Sequence, residues 1–353
     1  MNRRDLLKIS SGIIPFLTNI SFSSIDDFFY NELPNGNVQL KKYSIKPRGL
    51  IPNKSRIAIT ATSSPLSTYE MRESLRFLKS EGFKYDIGKT ILNQNNSRYL
   101  SASDDERADE FMKFVRDDSI DCILCGRGGY GVLRILEKLD FSEIRKNPKI
   151  IVGFSDVTAL INPIYDMTGI NTFHGPVAVS TFNKFTTDHF KKVLYSNNSF
   201  EPIKTEYEKA IEIKPGKTTG YLKGGNLRML ISTLGTVYEP DLENSILFLE
   251  DVSEPAYKVD RMLSQLIISG KLDKCNGIIF GQFNNLKQRQ SFNPGLSFTI
   301  LEVINQLFSS WHKPILLGMP FGHVKDKMTL PIGTRAELDT KKKKLTILES
   351  SII

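Results

Sequence analysis

From Ser55 onward the chain alternates between two hydrophobic rhythms. The stretch "SRIAITAT" (55–62) is short, apolar and β-branched and predicts a buried strand, whereas "STYEMRESLRFLKSEGF" (67–83) spaces its apolar residues for a helix, with Ser67 as N-cap and Gly82 at its end. A short strand near "YDIG" (85–88), a polar loop "NQNNSRYLSAS" (93–103) and a helix "DDERADEFMKFVRDD" (104–118) with an acidic first turn follow. The strand "IDCILC" (120–125) runs into "GRGGYG" (126–131) and a helix "VLRILEKL" (132–139). "KIIVGF" (149–154) is again a strand, and "DVTALINPIYDMTG" (156–169) a helix closing on Gly169. Strand and helix alternate in a way that predicts an α/β fold: an N-terminal parallel-sheet, Rossmann-like domain over 53–181.

The rhythm weakens over 182–217, where "NKFTTDHFKKV" (183–193) reads as a helix and "EIKPGKTTG" (212–220) as a loop; this segment is the expected linker. Beyond it the strand patterns are "SILFLEDV" (245–252), "GIIFGQF" (277–283), "PILLGM" (314–319) and "KLTILES" (344–350). Helical patterns lie at "YKVDRMLSQLIISGKL" (257–272) and around "LSFTILEVINQLFSSW" (296–311). Together they predict a smaller C-terminal α/β or α+β domain over 218–353, with a cleft between the two domains.

Composition changes this picture little. The 353 residues are 40% hydrophobic and 24% charged, an ordinary globular balance. The net charge of +8 is spread along the chain and interrupted by runs such as "DDERADE", with no aromatic residues interleaved in a basic stripe, which argues against nucleic acid as a partner. The densest basic run, Lys341 to Lys344, reads as an exposed hairpin tip. Three cysteines are too few for a disulfide framework, and Cys122 and Cys125 fall in an apolar strand and read as buried hydrophobes. The N-terminus matters more. "MNRRDLLKISSGIIPFLTNISF" pairs Arg3 and Arg4 ahead of an uncharged stretch, the pattern of a twin-arginine export signal over 1–30, followed by a polar connector over 31–52. A periplasmic enzyme without a stable membrane span after processing is expected; a cytoplasmic one is the alternative.

In an open parallel sheet ligands gather at the carboxyl ends of strands. Two such ends are unusual here: the glycine loop Gly126–Gly131, and "GFSD", which places Ser155 where a strand becomes a helix. Ser155 could be a plain N-cap or a nucleophile, and a nucleophile requires a base. Among four histidines, His189 and His312 read as surface residues, His174 in "FHGP" as a lining or core residue of the cleft, and His323, beside Gly322, as a side chain able to reach across it. Glu250 ends an apolar strand, where a carboxylate needs a partner such as an imidazole, Lys258 or Arg261.

The blocks "RGGYGVLRIL", "VGFSDVTAL", "FHGP", "GYLKGGNLRML", "FLEDVSEPAYKVDRML" and "GHVKDKMTLPIG", in this order across about 55–348, resemble the LD-carboxypeptidase family of serine peptidases, which includes muramoyltetrapeptide carboxypeptidases and microcin C immunity peptidases. The resemblance implies a triad of Ser155, Glu250 and His323, and an oxyanion hole of backbone amides assigned to Asp156 and to Gly128 or Gly129. It implies a C-terminal α/β domain of the swivelling type with the active site in the cleft between the domains, and hydrolysis of the L,D amide that ends a peptidoglycan tetrapeptide stem, releasing D-Ala, with neither metal nor cofactor. Arg127 is expected to clamp the substrate carboxylate or brace the glycine loop, and Asn226 and His174 to contact substrate. Partners are then a murein peptide and, in one reading, a second copy of the chain. Three rival functions stay open: an immunity-type peptidase acting on a peptidyl nucleotide, a periplasmic muropeptide-binding protein, and a generic α/β-hydrolase esterase, against which the missing second glycine after Ser155 counts.

Overall fold

The computed structural model describes residues 44–92, 98–196, 199–283 and 298–353. The twin-arginine stretch and most of the connector lie outside the described residues. Within them, two sheets carry the fold.

The first sheet has strand order β12-β5-β4-β3-β1-β2. Strands β1 (Arg56–Thr60), β2 (Lys84–Ile87), β3 (Cys122–Cys125), β4 (Ile150–Gly153) and β5 (Thr172–His174) run parallel, and β12 (Leu330–Ile332) closes the edge antiparallel to β5. β1, β3 and β4 are apolar along almost their whole length because helices cover both faces of a parallel sheet. The second sheet is mixed and wider, in the order β6-β14-β13-β8-β9-β10-β11-β7. Its parallel centre is β8 (Lys217–Asn226), β9 (Ser245–Glu250), β10 (Gly277–Gly281) and β11 (Ile315–Met319). Antiparallel flanks come from β6 (Ile203–Glu206), β7 (Ile211–Lys214), β13 (Arg335–Asp339) and β14 (Lys344–Ile347).

Several elements differ from the sequence expectation. The helix expected at 67–83 begins only at Arg72 and ends at Ser80; Ser67 instead closes the preceding turn with Glu70. "VLRILEKL" forms two 3-10 turns, Val132–Arg134 and Leu136–Lys138, in place of the expected α-helix. The expected loop 212–220 belongs to β7 and β8, and 182–217 as a whole contributes the helix Lys184–Leu194 and the strands β6 and β7. Chain from beyond 218 also returns to the first sheet as β12. His189 is buried rather than exposed, bonded to Thr205 Oγ1 through Nε2 (2.8 Å) and accepting from the Thr329 amide at Nδ1 (3.3 Å).

The two sheets are joined by the helix Thr158–Thr168. Its Asn162 side chain donates to Gly224 O at 2.9 Å, and its Thr158 Oγ1 accepts from the Asn226 amide at 3.0 Å. Gly225, at φ +138, allows this approach, because a Cβ there would stand 2.6 Å from Thr158 Oγ1. One apolar cluster runs continuously through Ile57, Leu160, Leu222, Phe248, Phe321 and Leu338, from the first sheet to the second. A separate cluster packs the helices Ala256–Ile268 and Ile300–Leu307 on the far face of the second sheet.

Candidate active site

The chain passes from β4 into a 3-10 turn, Ser155–Val157, and then into the joining helix. Ser155 has φ +66, in the left-handed region that costs a non-glycine residue about 1–2 kcal/mol. A plain N-cap sits in extended backbone, so the N-cap role left open for this serine does not apply; its side chain caps no helix amide. Strain of this kind holds a side chain in a position the local sequence would not choose.

Ser155 Oγ–H donates to His323 Nε2 at 3.1 Å, and His323 Nδ1–H donates to Glu250 Oε2 at 2.7 Å. Three segments separated by 73 and 168 residues thus meet in one chain of hydrogen bonds. Glu250 is fully buried at the end of β9, whereas the His323 side chain keeps 21% exposure. Burial alone would raise the Glu250 carboxyl, but the hydrogen bond and charge of His323, with lesser help from His174 and Asn226, hold it below its ordinary value. Its partner is the imidazole rather than Lys258, which pairs with Glu254, or Arg261, which stacks on Tyr257. Gly322, at φ +83, makes the contact feasible: a Cβ there would stand 2.5 Å from Glu250 Cδ.

The glycine loop lies against the serine. A Cβ on Gly128 would meet Ser155 Cβ at 2.6 Å, its Oγ at 2.8 Å and the Asp156 amide nitrogen at 3.3 Å, so only a glycine leaves space in front of the hydroxyl. Gly129 turns the other way, toward Ser64. Asp156 presents its amide in the first turn, where N–H groups have no intrahelical acceptor, while its buried carboxylate accepts from Ser63 Oγ (2.7 Å) and the Val132 amide (2.9 Å) and ties serine turn to glycine loop. Arg107, fully buried, donates to Thr62 O and to Gly131 O (3.0 Å) and pairs with Asp104, bracing the same loop from behind. Neither role is legible locally, since both residues sit in ordinary polar helix patterns.

The three residues expected at the substrate all have neighbours within the protein. Arg127 donates to Pro65 O (3.1 Å) and pairs with Glu70 (3.3 Å); it braces the loop. Asn226 is buried, caps the helix Leu227–Thr233 and donates to Glu250 Oε1 (3.3 Å) and Asp251 Oδ1 (3.1 Å), so its amide is spent on carboxylates and not on a peptide. His174 is sealed among Phe154, Phe248 and Phe321, with neither ring nitrogen hydrogen-bonded, which places it beneath the site and out of a substrate's reach. Burial pushes its pKa down to about 4 and keeps the ring neutral. Among the described residues, no group of three or more His, Cys, Asp or Glu side chains could hold a metal, and no helix is long and apolar enough to cross a membrane.

The chain matches the LD-carboxypeptidase N-terminal domain over residues 57–175 and the LD-carboxypeptidase C-terminal domain over 219–338. It is 36% identical over 311 residues to a probable murein peptide carboxypeptidase of Bacillus subtilis, covering 86% of this chain and 94% of that protein. It is 30% identical over 327 residues to the microcin C7 self-immunity protein MccF of Escherichia coli, covering 83% and 93%. Among solved structures, MccF in complex with aspartyl sulfamoyl adenosine matches with TM-score 0.80 at 26% identity, covering 88% of this chain and all of that one. A muramoyltetrapeptide carboxypeptidase from Oxalobacter formigenes matches with TM-score 0.73 at 31% identity, covering 84% and 99%. A serine turn, a glycine loop and a carboxylate-bound histidine thus lie within the span these proteins share with it, and the chain belongs to the LD-carboxypeptidase family.

Proposed function

We propose that this carboxypeptidase is a serine hydrolase that cleaves the terminal L,D amide of peptidoglycan tetrapeptide stems and releases D-Ala. The observation that carries the reading is the hydrogen-bonded chain from Ser155 Oγ through His323 to Glu250. With Nδ1–H committed to Glu250, Nε2 carries the lone pair and takes the Ser155 proton as Oγ attacks the carbonyl carbon. The imidazolium that forms is stabilised by the buried Glu250 carboxylate and returns its proton to the leaving amine of D-Ala. Water, deprotonated by the same Nε2, then releases the acyl group from Ser155. Amides at the start of the serine turn and in the glycine loop receive the charge on the carbonyl oxygen, a contribution of about 3 kcal/mol for each donor. The paired arginines near the N-terminus support an exported enzyme acting on stems in the wall or on periplasmic fragments.

Purified protein incubated with tetrapeptide and pentapeptide muropeptides tests this by mass spectrometry. Loss of one alanine from the tetrapeptide, abolished by Ser155→Ala, is expected; turnover surviving that substitution rejects the nucleophile. The likeness to MccF in complex with aspartyl sulfamoyl adenosine supports a second reading, a peptidase for aminoacyl or peptidyl conjugates of this kind. Cleavage of aspartyl sulfamoyl adenosine with the tetrapeptide left intact would favour it.

A further inference from the structure

A carboxypeptidase must distinguish a chain end from the interior of a chain, and the simplest mark of an end is its free α-carboxylate. The cations around the site are mostly committed: Arg127 to Glu70, Arg228 and Lys258 to Glu254, and Lys223 to Asp166. Lys327 differs from all of these. It is buried, four residues beyond His323, and its Nζ donates only to Val324 O; among the described residues no carboxylate lies within ion-pair distance of it. An ammonium withdrawn from water with no carboxylate in contact is costly: burial lowers its pKa, and the more distant charges of Glu250 and Asp326 offset this only in part.

Its position relative to the reacting groups is specific. Lys327 Nζ lies 5.6 Å from the centre of the Phe154 ring, and Phe154 both precedes Ser155 and packs edge-on against the His323 imidazole, with centroids 4.9 Å apart. His323 protonates the leaving amine in the proposed mechanism. The amine and carboxylate of an α-amino acid are one carbon apart, so a group that reads the carboxylate must stand within one residue's reach of that imidazole.

Resting on the tetrapeptide reading above, we propose that Lys327 recognises the free α-carboxylate of the departing D-amino acid and so restricts cleavage to the chain end. The substrate carboxylate supplies the contact ion pair that Glu250 and Asp326 do not make, and Arg127 has no part in it.

The test compares a stem tetrapeptide ending in D-Ala with the same peptide ending in D-alaninamide, as the ratio of their kcat/KM values. Wild type is expected to favour the acid by roughly 10- to 100-fold, the size of one charge-assisted contact. Lys327→Met should bring the ratio close to one, while Lys327→Arg retains a preference; Lys327→Gln replaces the methionine variant should that fail to fold. A merely structural lysine would lower both rates and leave the ratio unchanged. An unchanged ratio in Lys327→Met, or a wild-type enzyme that treats acid and amide alike, overturns this assignment alone. A wild-type enzyme that leaves both tetrapeptides intact overturns the proposed function, and this inference with it.

Discussion

Replacing Gly322 by alanine should disable the triad without altering any of its three side chains. Two costs arise at this position. The first is conformational, because φ is +83 and alanine pays about 1–2 kcal/mol to occupy the left-handed region. The second is a collision: the new Cβ would stand 2.5 Å from Glu250 Cδ, well inside contact distance, in a fully buried site with nowhere for the carboxylate to retreat except away from His323. Breaking the 2.7 Å bond to Nδ1 leaves the imidazole without its orienting acceptor. Loss of that function in serine hydrolases costs up to about 10,000-fold in kcat, so a partial displacement should cost about 100- to 1,000-fold. KM should change little, since Gly322 is on the far side of the imidazole from the nucleophile. Gly270 provides the control: its φ is +69 and nothing lies within 4 Å of a Cβ there, so Gly270→Ala should pay the backbone cost alone. Steady-state release of alanine, with a thermal melt of each variant, decides it. A Gly322→Ala enzyme within threefold of wild-type kcat would refute the reasoning, as would a Gly270→Ala enzyme equally impaired.

Other outcomes follow from the same geometry. Ser155→Gly should abolish turnover yet raise stability by about 1 kcal/mol in urea unfolding, since glycine relieves the positive φ; a less stable variant would show that the serine is not strained. Asn226→Ala removes a helix cap and one donor to Glu250, and should lower both the unfolding free energy, by about 1 kcal/mol, and kcat, by roughly tenfold; an unchanged kcat would leave Asn226 as a cap only. His174 and His189 are both held near pKa 4 by burial, below their ordinary 6.5, so the unfolded chain binds more protons and stability falls as pH drops from about 6.5 to about 4. Each contributes at most about 3 kcal/mol to that loss. Glu250, held below its ordinary 4.5, adds a further loss at still lower pH. In His174→Phe the decline between pH 6.5 and 4 should shrink by roughly half, and an unaltered pH profile of stability would show that the ring is not titrating in that window.

The parts of this molecule legible in the sequence are those fixed by short-range chemistry. β1, β3, β4 and β9 are short apolar runs that only a buried strand accommodates, and Gly169, with φ +77, stops its helix where a left-handed residue is needed. Elements set by distant partners were harder to read. β5 and β12 are three residues each: β12 is held at the sheet edge by β5, more than 150 residues away, and β5 lies between it and β4. β7 is polar at Glu212 and Lys214 and is a strand only because β11 offers its edge. At the site, the meeting of Ser155, Glu250 and His323 followed from family likeness, since no spacing rule connects residues so far apart. Side-chain commitments were the least visible. Arg127 reads as available because its partner Glu70 lies 57 residues away, and Asn226 reads as a substrate contact because "GGN" gives no hint of Glu250 beneath it.

The account depends most on Ser155 being the atom that attacks. Reaction of the purified enzyme with a fluorophosphonate, followed by intact-mass measurement and peptide mapping, addresses that directly. One adduct on Ser155, formed in wild type and lost in His323→Ala, is the predicted result. An adduct elsewhere with Ser155 unmodified, or peptide turnover that persists in Ser155→Ala, would contradict it.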